Sequence, residues 1–237
     1  MIRVSVCIPL YNGLPYLKEQ INSIIAQLGS NDEVVISDDG STDGSVSWLT
    51  SLNDSRIRIL AGLPARHPSY NLEKALHTAR GEYILLADQD DVWLPGKVDQ
   101  MLNALKQHSL VVHDCLVTDE NLQIKVPSFM AEHGSGPGFW KNFTKNSFLG
   151  CCMGFRRSIL KKALPFPKPI PMHDSWLGLV ASAWFEVAFL PVPLLLYRRH
   201  GANASSTSAP SAYGLFTKMQ HRWWLIKGLI YTLWRRK

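Results

Sequence analysis

Tyr83-Ile84-Leu85-Leu86-Ala87-Asp88-Gln89-Asp90-Asp91-Val92-Trp93 is the stretch on which the fold class of this 237-residue chain turns. An unbroken apolar run followed at once by acids reads as a strand buried on both faces that opens into a polar loop. Three carboxylates at the mouth of such a strand repel one another and lose hydration unless something positive sits among them. A hard divalent cation is the usual remedy, because Mg²⁺ takes one or two carboxylates together with phosphate oxygens. Residues i and i+2 of an extended chain point to one side, so Asp88 and Asp90 can address a single ion. A solvated acidic turn is the bland alternative, and the rest of the chain has to decide.

Two further strands end in the same kind of loop. Val4 to Leu10 runs into Tyr11-Asn12-Gly13, and Glu33-Val34-Val35-Ile36-Ser37 runs into Asp38-Asp39-Gly40-Ser41-Thr42-Asp43. Segments of helical period follow each strand. Leu17, Ile21, Ile24, Ile25 and Leu28 begin behind Pro15 and stop at Gly29; Val46, Leu49 and Leu52 stand behind Ser41 and Asp43 as cap candidates. Val98, Met101, Leu102 and Leu105 follow Pro95. Strands alternating with helices predict an α/β fold built on an open, mostly parallel, Rossmann-like sheet flanked by helices. Ligands of such sheets bind beyond the carboxyl ends of the strands, where all three special loops lie.

The succession Val4–Asn12, Ser37–Asp43, Ala79–Ile84 and Asp88–Pro95 resembles the family 2 glycosyltransferases of GT-A fold. Met172-His173-Asp174-Ser175-Trp176 and Tyr197-Arg198-Arg199-His200-Gly201-Ala202-Asn203-Ala204-Ser205 resemble the rhamnosyltransferase-like branch of that family. The resemblance covers roughly residues 2–205 and rests on six motifs in order. It implies an inverting transferase that uses a nucleoside-diphosphate sugar and Mg²⁺ or Mn²⁺. It further implies transfer of a deoxyhexose such as rhamnose from dTDP-rhamnose to a surface glycan or lipid-linked acceptor. UDP-hexose or UDP-N-acetylhexosamine transfer is the alternative.

The resemblance also assigns roles. Asp90 becomes the metal ligand, Asp88 contacts the ribose or the metal through water, and Asp91 faces donor sugar or acceptor. Pro9, Tyr11 and Asn12 would carry the pyrimidine, with simple packing as the other reading of Tyr11. Asp39 would accept the ring N–H of the base, while Asp38 serves the nucleotide or caps its turn. Arg66 reaches base or diphosphate, or is a plain loop arginine; Asn71 serves the donor or caps its helix, the cap being preferred. Asp174 matches the catalytic base, although an acid at a helix start is in general a dipole partner. His200 is a further metal ligand, and Arg198 or Arg199 clamps the diphosphate. Residues 57–71 depart from the branch's glycine and asparagine pattern, which leaves the donor details there open.

No linker or internal repeat divides the chain, so a single domain over 1–205 is expected, with 1–113 as nucleotide-sugar half and 114–205 as acceptor half. Residues 127–175, with Phe139, Trp140, Phe143 and Phe148, are expected on the acceptor side, as core or as sugar platforms. Residues 206–237 form a polar loop and a basic, aromatic amphipathic tail. The last acidic residue is Glu186; eight Lys and Arg follow it, so residues 187–237 carry +8 and residues 1–186 sum to −2. Tryptophans beside cations suit an anionic membrane surface, expected over residues 215–237, although the same helix could pack on its own core or on a partner protein. Lys227 interrupts a run that would need about 20 apolar residues to span a bilayer. Nucleic acid is not an expected partner, since the sheet domain is mildly acidic. Four cysteines without metal or disulfide spacing, and a chain that opens directly on a strand, point to a cytoplasmic enzyme peripheral to the inner face of the cell membrane.

Two rival classes share parts of this pattern. A receiver-type signalling domain also gathers aspartates around Mg²⁺, but in about half the length and with a lysine after a later strand. A nucleotidyltransferase that makes sugar nucleotides wants a glycine-rich, cationic loop after the first strand. Here that loop has no cation before Lys18.

Overall fold

Five fully buried positions in a row, Val4 to Ile8, four of them apolar and the other Ser5, put β1 (Val4–Leu10) at the centre of the molecule, where its neighbours bury it on both faces. The computed structural model describes residues 1–62, 64–170, 172–201 and 214–234. The other strands are β2 (Asp32–Asp38), β3 (Ile57–Leu60), β4 (Tyr83–Leu86), β5 (Val92–Trp93), β6 (Leu110–Thr118), β7 (Ile124–Val126), β8 (Met153–Arg156) and β9 (Val187–Arg198). They form one sheet in the order β3-β2-β1-β4-β8-β6-β9-β5, with β7 paired to β6. The helices are α1 (Leu14–Ile25), α2 (Ser45–Ser51), α3 (Pro68–Thr78), α4 (Lys97–Leu105), α5 (Phe129–His133), α6 (Phe139–Thr144), α7 (Leu160–Ala163), α8 (His173–Trp184) and α9 (Leu215–Trp234).

The expected α/β sheet is present, and its first half, β3-β2-β1-β4, is wholly parallel. The second half is mixed: β8 runs antiparallel to both β4 and β6, while β9 is parallel to β6. The chain leaves β1 toward β2 and β3, then crosses back to place β4 on β1's other side. This reversal is the switch point at which open sheets form their ligand crevice. The loops after β1 and β4 flank it.

Local chemistry fixes the elements around that crevice. Pro15 starts α1, and Leu17, Gln20, Ile21 and Ile24 make its buried stripe. Gln20 is polar in that stripe for a reason: its amide donates to the Asp88 carbonyl at 2.6 Å and so holds the acidic loop. Gly96, at φ +81°, supplies the left-handed turn that starts α4. Glu33 ties the sheet's far end together, accepting from Ser5 Oγ on β1, Arg58 on β3 and Arg80 before β4 at 2.7 Å each.

Two local expectations are corrected. Asn71 is not a helix cap; His67 holds that position on α3, and Asn71 lies buried inside the helix. Its side chain accepts from Ser37 Oγ and donates to the Leu10 and Ser37 carbonyls, bracing β1 against β2. The residue before α2 is Gly44, although Asp43 does receive the Ser45 amide and hydroxyl. The four cysteines are free and buried. The polar loop of residues 205–211 lies outside the described residues.

Candidate active site

Gln89 brings the first and third loops together. Its side-chain amide makes a two-way bond with the Tyr11 backbone, accepting the N–H at 2.8 Å and donating to the carbonyl at 3.1 Å. Asn12, at φ +46°, stitches in the second loop: its N–H donates to Ser41 Oγ and its side-chain oxygen accepts from Thr42 N. Leu14 N donates to Asp43. The three loops therefore converge, as their common position at strand ends predicts. Tyr11 is 59% exposed at this junction, and Pro9 faces Ser37 in the β1–β2 register.

Asp38 is the turn cap of its two expected roles, receiving Gly40 N, Ser41 N and Ser41 Oγ. Asp39 receives the Ala65 amide, which draws the loop after β3 onto the end of β2. Arg66 is the next residue, exposed and at φ +53°. It thus stands at the rim near Asp39.

The acidic run divides into different environments. Asp90 Oδ2 lies 2.9 Å from His200 Nε2, and the imidazole packs against Tyr16, tilted by 33°, at 4.5 Å between ring centroids. Burial, then the charges of Asp90 and Asp174, push the half-buried Asp88 carboxyl up to about 7. Asp88 and Asp174 are therefore close enough to sense one another. Asp91 does not face donor or acceptor: it is fully buried, its Oδ1 receives the Arg198 N–H, and burial raises its pKa. Among the described residues its Oδ2 has no hydrogen-bonding partner. Candidate ligand atoms of Asp88, Asp91 and Cys151 lie within 4.8 Å of one another. Burial raises the Cys151 thiol as well, so this sulfur is a poor ligand for a hard ion. By donor chemistry the Asp90 carboxylate with the His200 imidazole suits Mg²⁺ or Mn²⁺ better, although among the described residues Asp88 does not join these two in a cluster with all ligand atoms within 4.8 Å of one another.

Lys97 is a charge that sequence reading missed. It is 1% exposed, donates to the Cys151 carbonyl at 3.0 Å and lies 4.2 Å over the Trp93 ring. Burial lowers its pKa, and Asp91 and Asp88 feel its charge or it theirs. A lysine two residues beyond Pro95 looks from sequence like an ordinary surface residue in a helix's first turn. Only the fold puts it beneath the acids.

Arg198 also differs from expectation. Rather than pointing at a diphosphate, it is 4% exposed and fastens the crevice wall, donating to the Asp90 and Glu120 carbonyls and to the Glu19 carboxylate. Its guanidinium packs over Tyr16 at 4.7 Å. Arg199 is half-buried, with its N–H on the Thr118 carbonyl and its guanidinium beside the Tyr197 ring.

Asp174 occupies the first turn of α8, as the sequence predicts, and is 8% exposed. Burial pushes its carboxyl up to about 6, opposed by the Ser175 amide and the Asn146 side chain. His173 turns inward against Ser69 and Gly150, and burial lowers its imidazole to about 4. Phe148 is core, Phe139 and Phe143 are half-buried, and Trp140 is exposed.

A crevice at a sheet's switch point, with an acidic loop, a histidine and a carboxyl at a helix start, defines a GT-A type glycosyltransferase. The profile of the family "Glycosyl transferase family 2" matches residues 5–164, and the chain belongs to that family. An uncharacterized glycosyltransferase of Nostoc sp. is 29% identical over 238 residues, which takes in 89% of this chain and 70% of that protein. A UDP-Glc:alpha-D-GlcNAc-diphosphoundecaprenol beta-1,3-glucosyltransferase of Escherichia coli is 28% identical over 107 residues, 45% of this chain and 42% of the enzyme. Against several curated relatives the chain thus spans under half their length. Among solved structures, Staphylococcus aureus TarS 1-349 in complex with UDP-GlcNAc superposes with a TM-score of 0.74 at 18% identity, over 99% of this chain and 72% of that one. The mannosyltransferase PcManGT of Pyrobaculum calidifontis, in complex with GDP-Man and Mn²⁺, gives 0.63 at 17%, over 99% and 88%. These structures share the fold.

Proposed function

We propose that this glycosyltransferase moves one sugar, with inversion, from a nucleoside-diphosphate sugar to a hydroxyl of a surface-glycan or lipid-linked acceptor. The observation that carries the reading is the Asp90–His200 contact that joins the acidic loop after β4 to the end of β9, with Asp174 in the first turn of α8 as the available base. Pro9, Tyr11, Asn12, Asp39 and Arg66 would receive the nucleotide, with Asp38 capping the turn that holds Asp39 in place. Asp90 and His200 would hold a Mg²⁺ or Mn²⁺ ion, with Asp88 available through water, and the ion would supply positive charge against the leaving diphosphate.

Asp174 takes the proton of the attacking acceptor hydroxyl. Inversion needs this one carboxylate and no covalent nucleophile, unlike the paired carboxylates of a retaining hydrolase. Gln89 and Gln20 hold the loops still, so that donor and base keep their distance. Arg199, directly after β9, is the remaining diphosphate clamp. Work on a lipid-linked acceptor would place the enzyme at the cytoplasmic face of a membrane, and the free buried thiols suit that compartment.

The donor is read as dTDP-rhamnose from the motifs around Asp174 and His200. UDP-sugars are a second reading, favoured by the donor named for the E. coli relative and by the ligand in the TarS structure. Calorimetry with dTDP-rhamnose, UDP-glucose, UDP-N-acetylglucosamine and GDP-mannose, each with Mn²⁺, tests this. Tightest binding of dTDP-rhamnose supports the assignment; binding of UDP-sugars alone replaces it, and binding of none of them defeats the transferase reading of the crevice.

A further inference from the structure

Helix α9 is apolar on both sides. Its inward face is Leu225, Gly228 and Thr232, all buried. Gly228 backs onto Trp176, whose ring would come within 2.7 Å of an added Cβ, and Thr232 Oγ1 accepts the Trp184 indole N–H at 3.0 Å. Lys162 on α7 donates to the Thr232 carbonyl. The core-packing expectation is therefore met by this face. The opposite face carries Met219, Trp223, Ile226, Ile230 and Leu233 at alternating four- and three-residue steps, each between 36% and 68% exposed. Between Met219 and Leu233 the exposed polar residues are Gln220 and Lys227, with Tyr231 amphipathic. A surface helix of a globular protein turns charges outward; one that is apolar all round needs a second apolar environment.

Its neighbour has the same character. Arg222 donates to the Thr144 carbonyl at 2.6 Å, fastening α9 to the end of α6, where Trp140, Lys141 and Lys145 are exposed. Neither helix contains an acidic residue. Lys227 lies 5.1 Å over the Trp223 ring, an arrangement that keeps a cation at the edge of an apolar surface. We infer that the outward face of α9, together with α6, rests on a lipid surface bearing anionic headgroups. Exposed Trp and Tyr with cations and no carboxylates match such an interface, whereas a protein partner would not require the cation-only rim. None of the helices among the described residues is long and apolar enough to cross a bilayer, so the contact lies in the plane of the surface.

Helix α8 links this surface to the chemistry. It carries Asp174 in its first turn, and Trp176, two residues later, sits beneath α9. A lipid-docked α9 thus holds the base's helix near the surface that a lipid-linked acceptor occupies; this last link rests on the acceptor proposed above.

The test is sedimentation of the whole chain with vesicles of phosphatidylcholine containing phosphatidylglycerol, and with pure phosphatidylcholine. Deleting α9 would uncover Trp176, so the variants are Trp223→Ser/Ile226→Ser/Ile230→Ser and, separately, Lys227→Gln, all on the outward face. The wild type should sediment with the anionic vesicles and less at high salt. Lys227→Gln should bind about fivefold more weakly. The triple variant should lose binding, keep its melting temperature and keep transfer to a soluble acceptor. Equal sedimentation of wild type and triple variant overturns the inference. So does failure to bind vesicles together with a dimer, seen by light scattering, that the triple substitution dissolves. Lost donor binding with retained vesicle binding would instead strike the proposed function alone.

Discussion

His200 Nε2 lies 2.9 Å from Asp90 Oδ2 although 110 residues separate the two in sequence. The end of β9 and the loop after β4 are joined at this point, and Arg198 fixes the join by bonding the backbone of Asp90 and the side chain of Asp91. A side-chain pair assembled from opposite ends of the domain comes together only when the second half of the sheet has formed.

His200→Ala should therefore weaken Mn²⁺ binding about 10–100-fold, measured by calorimetry or by Mn²⁺ electron paramagnetic resonance without any turnover. Activity should fall with it and recover partly at high Mn²⁺. Unchanged metal affinity would remove His200 from the ligand set. Asp90→Asn should abolish the same binding while the melt stays near wild type.

Asp174 supplies a pH test. Its carboxyl, raised to about 6 by burial, must be ionised to accept a proton, so kcat/KM of the wild type should climb as pH rises through about 6 and then level. Asp174→Asn should cut transfer by about 10²–10⁴ and leave the donor Kd unchanged. A variant that binds donor poorly but retains its maximal rate would show that Asp174 grips substrate and does not take the proton.

Glu33 gives a stability test far from the crevice. Burial favours its neutral form, but bonds from Arg80, Ser5 and Arg58 outweigh this and hold the carboxyl at about 2. A depressed acid stabilises the fold above its unfolded value of about 4.3, and that contribution disappears as pH falls through about 2. Glu33→Gln should cost about 1–2 kcal/mol at pH 7, since the arginines are partly exposed and screened. Urea melts of the two proteins should converge as pH approaches 2; a gap that persists there would mean that packing, not charge, carries the effect.

Sequence alone determined the parts governed by short-range rules. The apolar runs of β1, β2 and β4, the Pro15 start and Gly29 stop around α1, and the placement of Asp174 in the first turn of α8 follow from period and capping, which act over a few residues. The convergence of the Asn12, Asp38–Asp39 and Asp88–Asp91 loops was legible too, because every parallel strand delivers its loop to the same edge. What tertiary structure decided was which polar side chains serve the crevice and which serve the scaffold. Asp91 and Arg198 read as substrate groups, but Asp91 receives the Arg198 backbone N–H and the Arg198 side chain is consumed by the Asp90 and Glu120 carbonyls and Glu19; Asn71 reads as a cap but braces β1 against β2. Gln20, Gln89 and Lys97 carry no signal in the sequence, yet the two glutamines hold the loops and Lys97 is buried beside Cys151. Burial and hydrogen-bond partners arise from segments tens of residues apart, and local pattern carries no record of them. The same holds for α9: its sequence shows cations and tryptophans, but only its packing on Trp176 and Trp184 reveals that one apolar face is used and the other left outward.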